Sequence, residues 1–252
     1  MQIRFDDKIV AVTAAGSGFG RAIAKALAAL GARVHACDIS PDGIAETAKS
    51  GGIEPAVVDL TDRDAAAHWI HNIEASTGRA IDILINNAGG TLGNTMSPIE
   101  SVSDTQWDSI FAINVNATFV CCRAAAAKMK QARAGRIINI SSTAALHPSQ
   151  TGIQAYSSTK HAVLGLTRQL SKEFGSYGIT VNTIAPGRIP NTPAKFAAWE
   201  RGGEAKQQTT LERISLGRLG TSEDVAKAAI FFASDLSGFI RGQVLAIDGG
   251  EW

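Results

Sequence analysis

The sequence predicts an α/β fold, a doubly wound parallel sheet of about seven strands with helices on both faces. Three observations carry this. Short β-branched runs alternate with longer stretches of helical periodicity along the 252 residues. Most of those runs are apolar nearly throughout, as strands covered on both faces are. The first run passes through a glycine-rich turn directly into a helical stretch, the start of a right-handed strand–helix–strand crossover.

The strands are expected at residues 9–13, 33–38, 55–59, 81–86, 136–141, 180–185 and 243–248. Helices are expected at 19–30, 43–50, 62–76, 104–131, 156–175 and 223–234. Ile23, Ala26, Leu27 and Leu30 give the first helix one apolar face. Gly31, Gly78 and Gly135 follow helices where a left-handed cap is expected. Residues 186–220 break the alternation, are polar and carry Pro190 and Pro193. Inserts of that length in a compact domain are usually functional, so a substrate lid is expected over about 187–218. No repeat or composition shift marks a linker, so residues 1–252 read as one domain.

Composition excludes several classes. Hydrophobic residues make up 45% and charged residues 19%, against the signature of disorder. A formal net charge of +1 advertises neither a nucleic acid nor a membrane partner. Cys37, Cys121 and Cys122 cannot all pair and form no CxxC, which argues against a disulfide framework or zinc site and for a reducing compartment. The N-terminus places acids ahead of six apolar or small residues, unlike a signal peptide. No uninterrupted apolar run reaches the roughly 18 residues of a spanning helix. The expectation is a cytoplasmic protein.

Residues 13–20 read TAAGSGFG. At this place in a doubly wound sheet, glycines let backbone N–H groups approach a pyrophosphate and the helix N-terminus favours the anion. The GxGxxG fingerprint is broken, since Arg21 stands at its third glycine, and a tight strand–helix connection reads the same way. Asp38 ends the second strand, where a carboxylate accepts hydrogen bonds from the adenosine ribose and repels a 2′-phosphate. Residues 14–19 and 39–42 hold no Arg or Lys for such a phosphate, so NAD is the expected cofactor. Asp38 would equally serve as a helix N-cap. An S-adenosylmethionine methyltransferase shares both features.

The later residues separate the two. Tyr156 and Lys160 stand four apart on an expected helix and share a face. A phenol near its ordinary pKa of about 10 is a poor base at neutral pH. A lysine ammonium beside it, with a cationic nicotinamide, favours the phenolate, which could exchange a proton with an alcohol while a cofactor takes the hydride. The pair alone is equally a surface helix pair. Ser141 and Ser142 end the fifth strand, and Asn86–Gly89 end the fourth, all on the ligand edge of such a sheet. Asn114 sits within an apolar helical stretch, either as a bonded core amide or as part of a site.

Together these motifs resemble the short-chain dehydrogenases/reductases, in order and over the whole chain, on a Rossmann-type sheet. TAAGSGFG resembles the family's TGxxxGxG, with Ala14 replacing its first glycine. The resemblance implies cofactor contacts from Thr13, Gly16, Ser17, Gly18, Phe19, Gly20, Asp38, Asp59, Leu60, Asn87, Ala88 and Gly89. It adds Tyr156, Lys160, Pro186, Gly187, Ile189 and Thr192, although Asn191 holds the place five after Pro186 where the family has its threonine. It implies a catalytic tetrad of Asn114, Ser142, Tyr156 and Lys160. In it Tyr156 is the acid/base, Lys160 lowers its pKa and holds the nicotinamide ribose, Ser142 bonds the reacting oxygen, and Asn114 anchors a water leading from Lys160 to solvent. No metal is implied. A non-catalytic NAD-binding sensor would usually have lost the tyrosine or lysine.

The substrate is less defined. Candidate contacts are His147, Ser149, Gln150 and Gln154 after the fifth strand, and Arg188, Asn191 and Trp199 in the lid, with Leu146, Lys195 and Arg201 nearby. So many polar groups favour a small sugar, polyol or hydroxy acid over a steroid. His147 also reads as a plain loop residue, and Arg188 as the partner of a neighbouring acid. A 3-oxoacyl-thioester (acyl carrier protein) reductase is the alternative: Lys128, Lys130, Arg133 and Arg136 would face the carrier, but Tyr177 stands where a second basic site is common. The resemblance, with apolar faces on 104–131 and 156–175, implies a homotetramer. Trp252 either meets a neighbouring subunit or packs on its own.

Overall fold

The computed structural model describes residues 3–93, 96–148 and 152–251. Seven parallel strands form one sheet in the order β3-β2-β1-β4-β5-β6-β7. They are β1 (Ile9–Val12), β2 (Arg33–Asp38), β3 (Ile53–Val57), β4 (Ile83–Asn86), β5 (Gly135–Ile140), β6 (Ile179–Pro186) and β7 (Val244–Ile247). The order reverses between β1 and β4, and ligands of open α/β sheets bind in the crevice outside the strand carboxyl ends at such a reversal.

Alternate residues of each strand serve opposite faces. Val10 and Val12 of β1 and Ile83 and Ile85 of β4 face one core, with Ile23 and Leu27 of α1 (Gly18–Ala29) and Val225 and Phe232 of α9 (Ser222–Ala233). Ile9, Ala11 and Leu84 face the other. There they meet Trp69 and Ile70 of α3 (Arg63–Thr77), Val120 and Met129 of α5 (Ala117–Ala132) and Phe174 of α6 (Gln154–Phe174). Burial on both sides is why these strands are continuously apolar. β3 is an edge strand and reads differently, with Glu54 and Pro55 exposed.

Beyond shifts of element ends, such as β3 lying two residues before the expected 55–59 and the helix Pro41–Ala48 two before the expected 43–50, the structure departs from the sequence expectations in four places. Gly135 is no cap. It opens β5, and Arg133 takes the left-handed position with φ 52°. A Cβ at Gly135 would lie 2.9 Å from Met129 Sδ and 3.4 Å from Ile179 Cγ2, so a side chain there would have to displace Met129. Second, the expected helix 104–131 is α4 (Asp104–Phe111) joined to α5 by a π turn at Ala112–Asn116. Third, Asp104–Ala132 is long and apolar enough by length and composition to cross a membrane, contrary to the expectation of no such stretch. Its Ala117, Val120, Cys121, Ala125 and Met129 are buried in the domain, which accounts for the apolarity. Fourth, the lid is helical: α7 (Pro193–Arg201) and α8 (Gly203–Glu212) follow β6. Both are short, polar and without a buried residue, so they lack the apolar periodicity that reveals a helix in sequence. The remaining helix, α2 (Pro41–Ala48), is capped by the Ser40 side chain.

Candidate active site

The glycine-rich turn links β1 to α1. Ser17 is the N-cap of α1 but makes no side-chain cap bond, and the first turn carries no acid. The N-terminal N–H groups of α1 therefore keep their affinity for an anion. Asp38 Oδ2 accepts from Gly16 N at 2.7 Å and Oδ1 from Ser40 N at 2.9 Å. A Cβ at Gly16 would lie 2.6 Å from the Asp38 carboxyl carbon, and one at Gly20 would lie 2.3 Å from the Ala14 carbonyl oxygen. Ala14 itself has φ 51°, in the left-handed region. Arg21, at the broken third-glycine position, donates to the carbonyls of Gly16 and Gly43 and to Thr47 Oγ1. Its guanidinium is thus committed to the turn.

Thr13 Oγ1 accepts from both Asn87 N (2.9 Å) and Ala88 N (3.0 Å), and Asn87 Nδ2 donates to the carbonyls of Thr13 and Ala14. These bonds tie the glycine turn to the end of β4. Asp59 Oδ1 is turned onto Thr61, accepting from its N–H and hydroxyl, and Leu60 is buried. Gly187 N bonds Ile247 O, and Ile189 is buried against Gly220. Thr192 Oγ1 caps α7 by accepting from Lys195 N at 3.3 Å. Asn191, not Thr192, reaches the glycine turn: a Cβ at Gly18 would lie 2.9 Å from Asn191 Nδ2. The cradle fits a dinucleotide, with close backbone approach at Gly16, Gly18 and Gly20, an uncapped helix N-terminus and a carboxylate at the end of β2.

Tyr156 and Lys160 share one face of α6, with Lys160 Nζ 5.6 Å from the centre of the Tyr156 ring. Lys160 Nζ donates to Ile140 O at 3.1 Å, and Lys160 O accepts from Ser141 Oγ at 2.9 Å. Ser142, just past β5, hydrogen-bonds Tyr156. A Cβ at Gly89 would lie 2.9 Å from Lys160 Nζ and 2.4 Å from Asn114 Oδ1, so Gly89, Asn114 and Lys160 converge. Asn114 is fully buried. Its Oδ1 accepts from Gly90 N at 3.0 Å, and its Nδ2 donates to Gly90 O and Ile110 O, each at 2.9 Å. That amide is used entirely on the backbone.

Burial holds the Tyr156 phenol above its ordinary value, and the Ser142 hydrogen bond acts the other way. Burial brings Lys160 down to about 8, with the nearby Lys195 ammonium contributing. Desolvation disfavours the charged form of each group.

Ser142 and Tyr156 line a cleft of about 420 Å³ with His147, Arg188, Arg213 and Glu251. Arg188 Nε pairs with Glu251 Oε1, the neighbouring acid of the sequence alternative. Arg213 and Glu251 carried no sequence signal as site residues, because they arrive from after α8 and after β7. Gln154 lies in a smaller adjoining cavity and donates to Ser97 O. Trp199 sits with Lys195 in a third cavity across Arg188, away from Tyr156. Lys195 Nζ bonds Asn191 Oδ1 at 2.9 Å. Ser149, Gln150 and Trp252 lie outside the described residues. No cluster of three potential metal ligands occurs among the described residues.

Known proteins are similar to this chain over nearly their whole length. The family described as enoyl-(acyl carrier protein) reductase matches residues 13–251. A D-threitol dehydrogenase of Mycolicibacterium smegmatis is 37% identical over 98% of this chain and 94% of its own. A 3-oxoacyl-(acyl-carrier-protein) reductase of Thermotoga maritima is 35% identical over 98% of this chain and 99% of its own. Among solved structures, levodione reductase superposes with a TM-score of 0.91 at 28% identity, covering 98% of each chain. A putative gluconate 5-dehydrogenase of Beutenbergia cavernae, with NADP at low occupancy, superposes with a TM-score of 0.89 at 36% identity over 99% of this chain and 98% of its own. The glycine turn, the Tyr156–Lys160 face and these matches place the chain in the short-chain dehydrogenase/reductase family, as an oxidoreductase.

Proposed function

We propose that the protein is an NAD-dependent dehydrogenase interconverting a secondary alcohol and its carbonyl on a small polar substrate such as a sugar, polyol or hydroxy acid. The carrying observation is that Ser142 and Tyr156 line one cleft, with Lys160 Nζ 5.6 Å from the centre of the Tyr156 ring. The dinucleotide would be held by the glycine turn, Asp38, the Asn87–Gly89 segment and Lys160. When bound it supplies the hydride acceptor or donor. Ser142 orients the reacting oxygen. Tyr156 Oη carries the proton, and burial favours its protonated form, ready to act as an acid in carbonyl reduction.

Asp38 supports NAD over NADP. Its carboxylate is fixed by Gly16 N and Ser40 N at the end of β2, where it would repel a 2′-phosphate. The acyl-carrier alternative is less supported. Lys130 pairs with Glu173 and lies over the Phe174 and Tyr177 rings, and Lys128 donates to Glu74 O. Arg133 donates to Ser176 O, and Arg136 meets Asp235 at 3.5 Å. A sensor role has no support from a site that retains both Tyr156 and Lys160.

Homotetramer assembly is supported by exposed apolar residues, Phe119 on α5 and Leu245 and Phe239 around the edge strand β7. A cytoplasmic location is supported by Cys37, Cys121 and Cys122, all buried free thiols. Turnover of sugars, polyols, hydroxy acids and acetoacetyl thioesters with each dinucleotide tests the reading. NAD should be preferred by roughly 100-fold in kcat/KM, a difference of about 2.7 kcal/mol. A preference for NADP would overturn the assignment of Asp38.

A further inference from the structure

We propose that the substrate carries a carboxylate and that Arg213 binds it. This deepens, and rests on, the dehydrogenase reading above.

The argument starts from the charges lining the cleft beside Ser142 and Tyr156. Arg188, Arg213 and Glu251 are its charged side chains. Glu251 is taken by Arg188. Arg213 is exposed and forms no ion pair among the described residues, so of the charged side chains lining the cleft it is the one left without an opposite charge there. A guanidinium presents a planar fork of donors that matches a carboxylate in two parallel bonds. A neutral polyol offers no counter-charge.

The backbone beneath Arg213 is fixed. Arg213 is the C-cap of α8. The next residue, Ile214, is buried and bridges Glu251 in antiparallel fashion. Ser215 N and Leu216 N then bond the carbonyls of Gly250 and Gly249 at 3.2 and 3.1 Å. Arg213 and the Arg188–Glu251 pair are thus built on one small ladder, which fixes the backbone from which Arg213 reaches the cleft. A lone lysine on a mobile loop would have no such support. Pockets for small ligands span roughly 300–1,000 Å³, and this cleft, at about 420 Å³, suits a short hydroxy acid. In the reaction Tyr156, once it has released its own proton to solvent, would take the proton of the hydroxyl, and a bound NAD⁺ would accept the hydride from the carbinol carbon. An oxo acid, NADH and a proton result, and the carboxylate is unchanged.

The test uses the full-length protein saturated with NADH, titrated with 3-hydroxybutyrate and with 3-hydroxybutyramide and followed by cofactor fluorescence. Neither compound can be oxidised while NADH occupies the site. The acid should bind on the order of 10- to 100-fold more tightly than the amide, the range of one charge-assisted bidentate contact. Arg213→Gln should bring binding of the acid down to the level of the amide, and Arg213→Lys should restore part of the difference. In turnover, Arg213→Gln should raise KM for hydroxy acids more than it lowers kcat. Acetoacetyl-CoA as a second probe separates a carboxylate from a phosphate source: loss of only the thioester's binding in Arg213→Gln would overturn the proposal. Equal binding of acid and amide by a protein that still binds NADH would overturn it alone. Failure to bind NADH at all would overturn the dehydrogenase reading with it.

Discussion

The Asn114 side chain and the Gly90 backbone exchange two hydrogen bonds, N–H to Oδ1 at 3.0 Å and Nδ2 to carbonyl at 2.9 Å. The same Nδ2 reaches back to Ile110 O, one turn earlier, where the helix widens into its π turn. A π turn bonds Ala117 N to Ala112 O, five residues back, and such turns recur at functional sites. Asn114 thereby straps the loop after β4 to the long helix, and Gly89 is held against Lys160.

Asn114→Leu should therefore destabilise the protein by about 2–3 kcal/mol, because two carbonyls and an N–H lose their buried partner. Urea unfolding followed by circular dichroism measures this. A loss below about 0.5 kcal/mol would mean that the strap is dispensable.

Ala14→Gly should stabilise the fold by roughly 0.5–1 kcal/mol. A left-handed L-residue costs roughly 1–2 kcal/mol, and only part of that is returned through the greater freedom of glycine in the unfolded chain. The motive is φ 51° at Ala14. A lower melting temperature in the variant would show that the turn relaxes around alanine without strain.

Tyr156→Phe should abolish turnover in both directions while NADH binding persists within about threefold, since only the proton carrier is lost. In the wild type, the elevated phenol makes the two directions respond oppositely to pH. Carbonyl reduction should fall as pH rises through the alkaline range, and alcohol oxidation should climb as the phenolate forms. Residual activity above a few per cent in the phenylalanine variant would place the acid/base elsewhere.

Glu74, on α3, is buried, and its Oε1 has no hydrogen-bond partner among the described residues. Burial raises its carboxyl from 4.5 to about 6, with Lys128 opposing. The folded state therefore holds this proton more tightly than the unfolded state. Its contribution is full below pH 4.5 and is lost as pH rises through about 6. Glu74→Gln should gain on the order of 1 kcal/mol at neutral pH and nothing at acid pH. Urea titrations at both pH values check the sign, and an equal gain at both would assign it to something other than ionisation.

The strands and the cofactor edge were readable in the sequence because a sheet buried on both faces must be apolar at nearly every position, and a phosphate turn must be rich in glycine. β2 was read residue for residue, and Tyr156 and Lys160 were legible because one turn of helix suffices to bring them together. Helices α7 and α8 were not, since they bury no residue and show no periodic face. The π turn at Asn114 was hidden too, because the side-chain bonds that accompany it, to Ile110 and to Gly90, include a partner distant in sequence. The burial that raises the Tyr156 phenol was not legible from spacing, because desolvation depends on everything packed around it. Arg213 and Glu251 needed the tertiary structure most. They reach the cleft from the end of α8 and beyond β7 through the bridge between Ile214 and Glu251. Residues so placed meet only when the chain closes on itself, and periodicity, which reports local geometry, carries no trace of it.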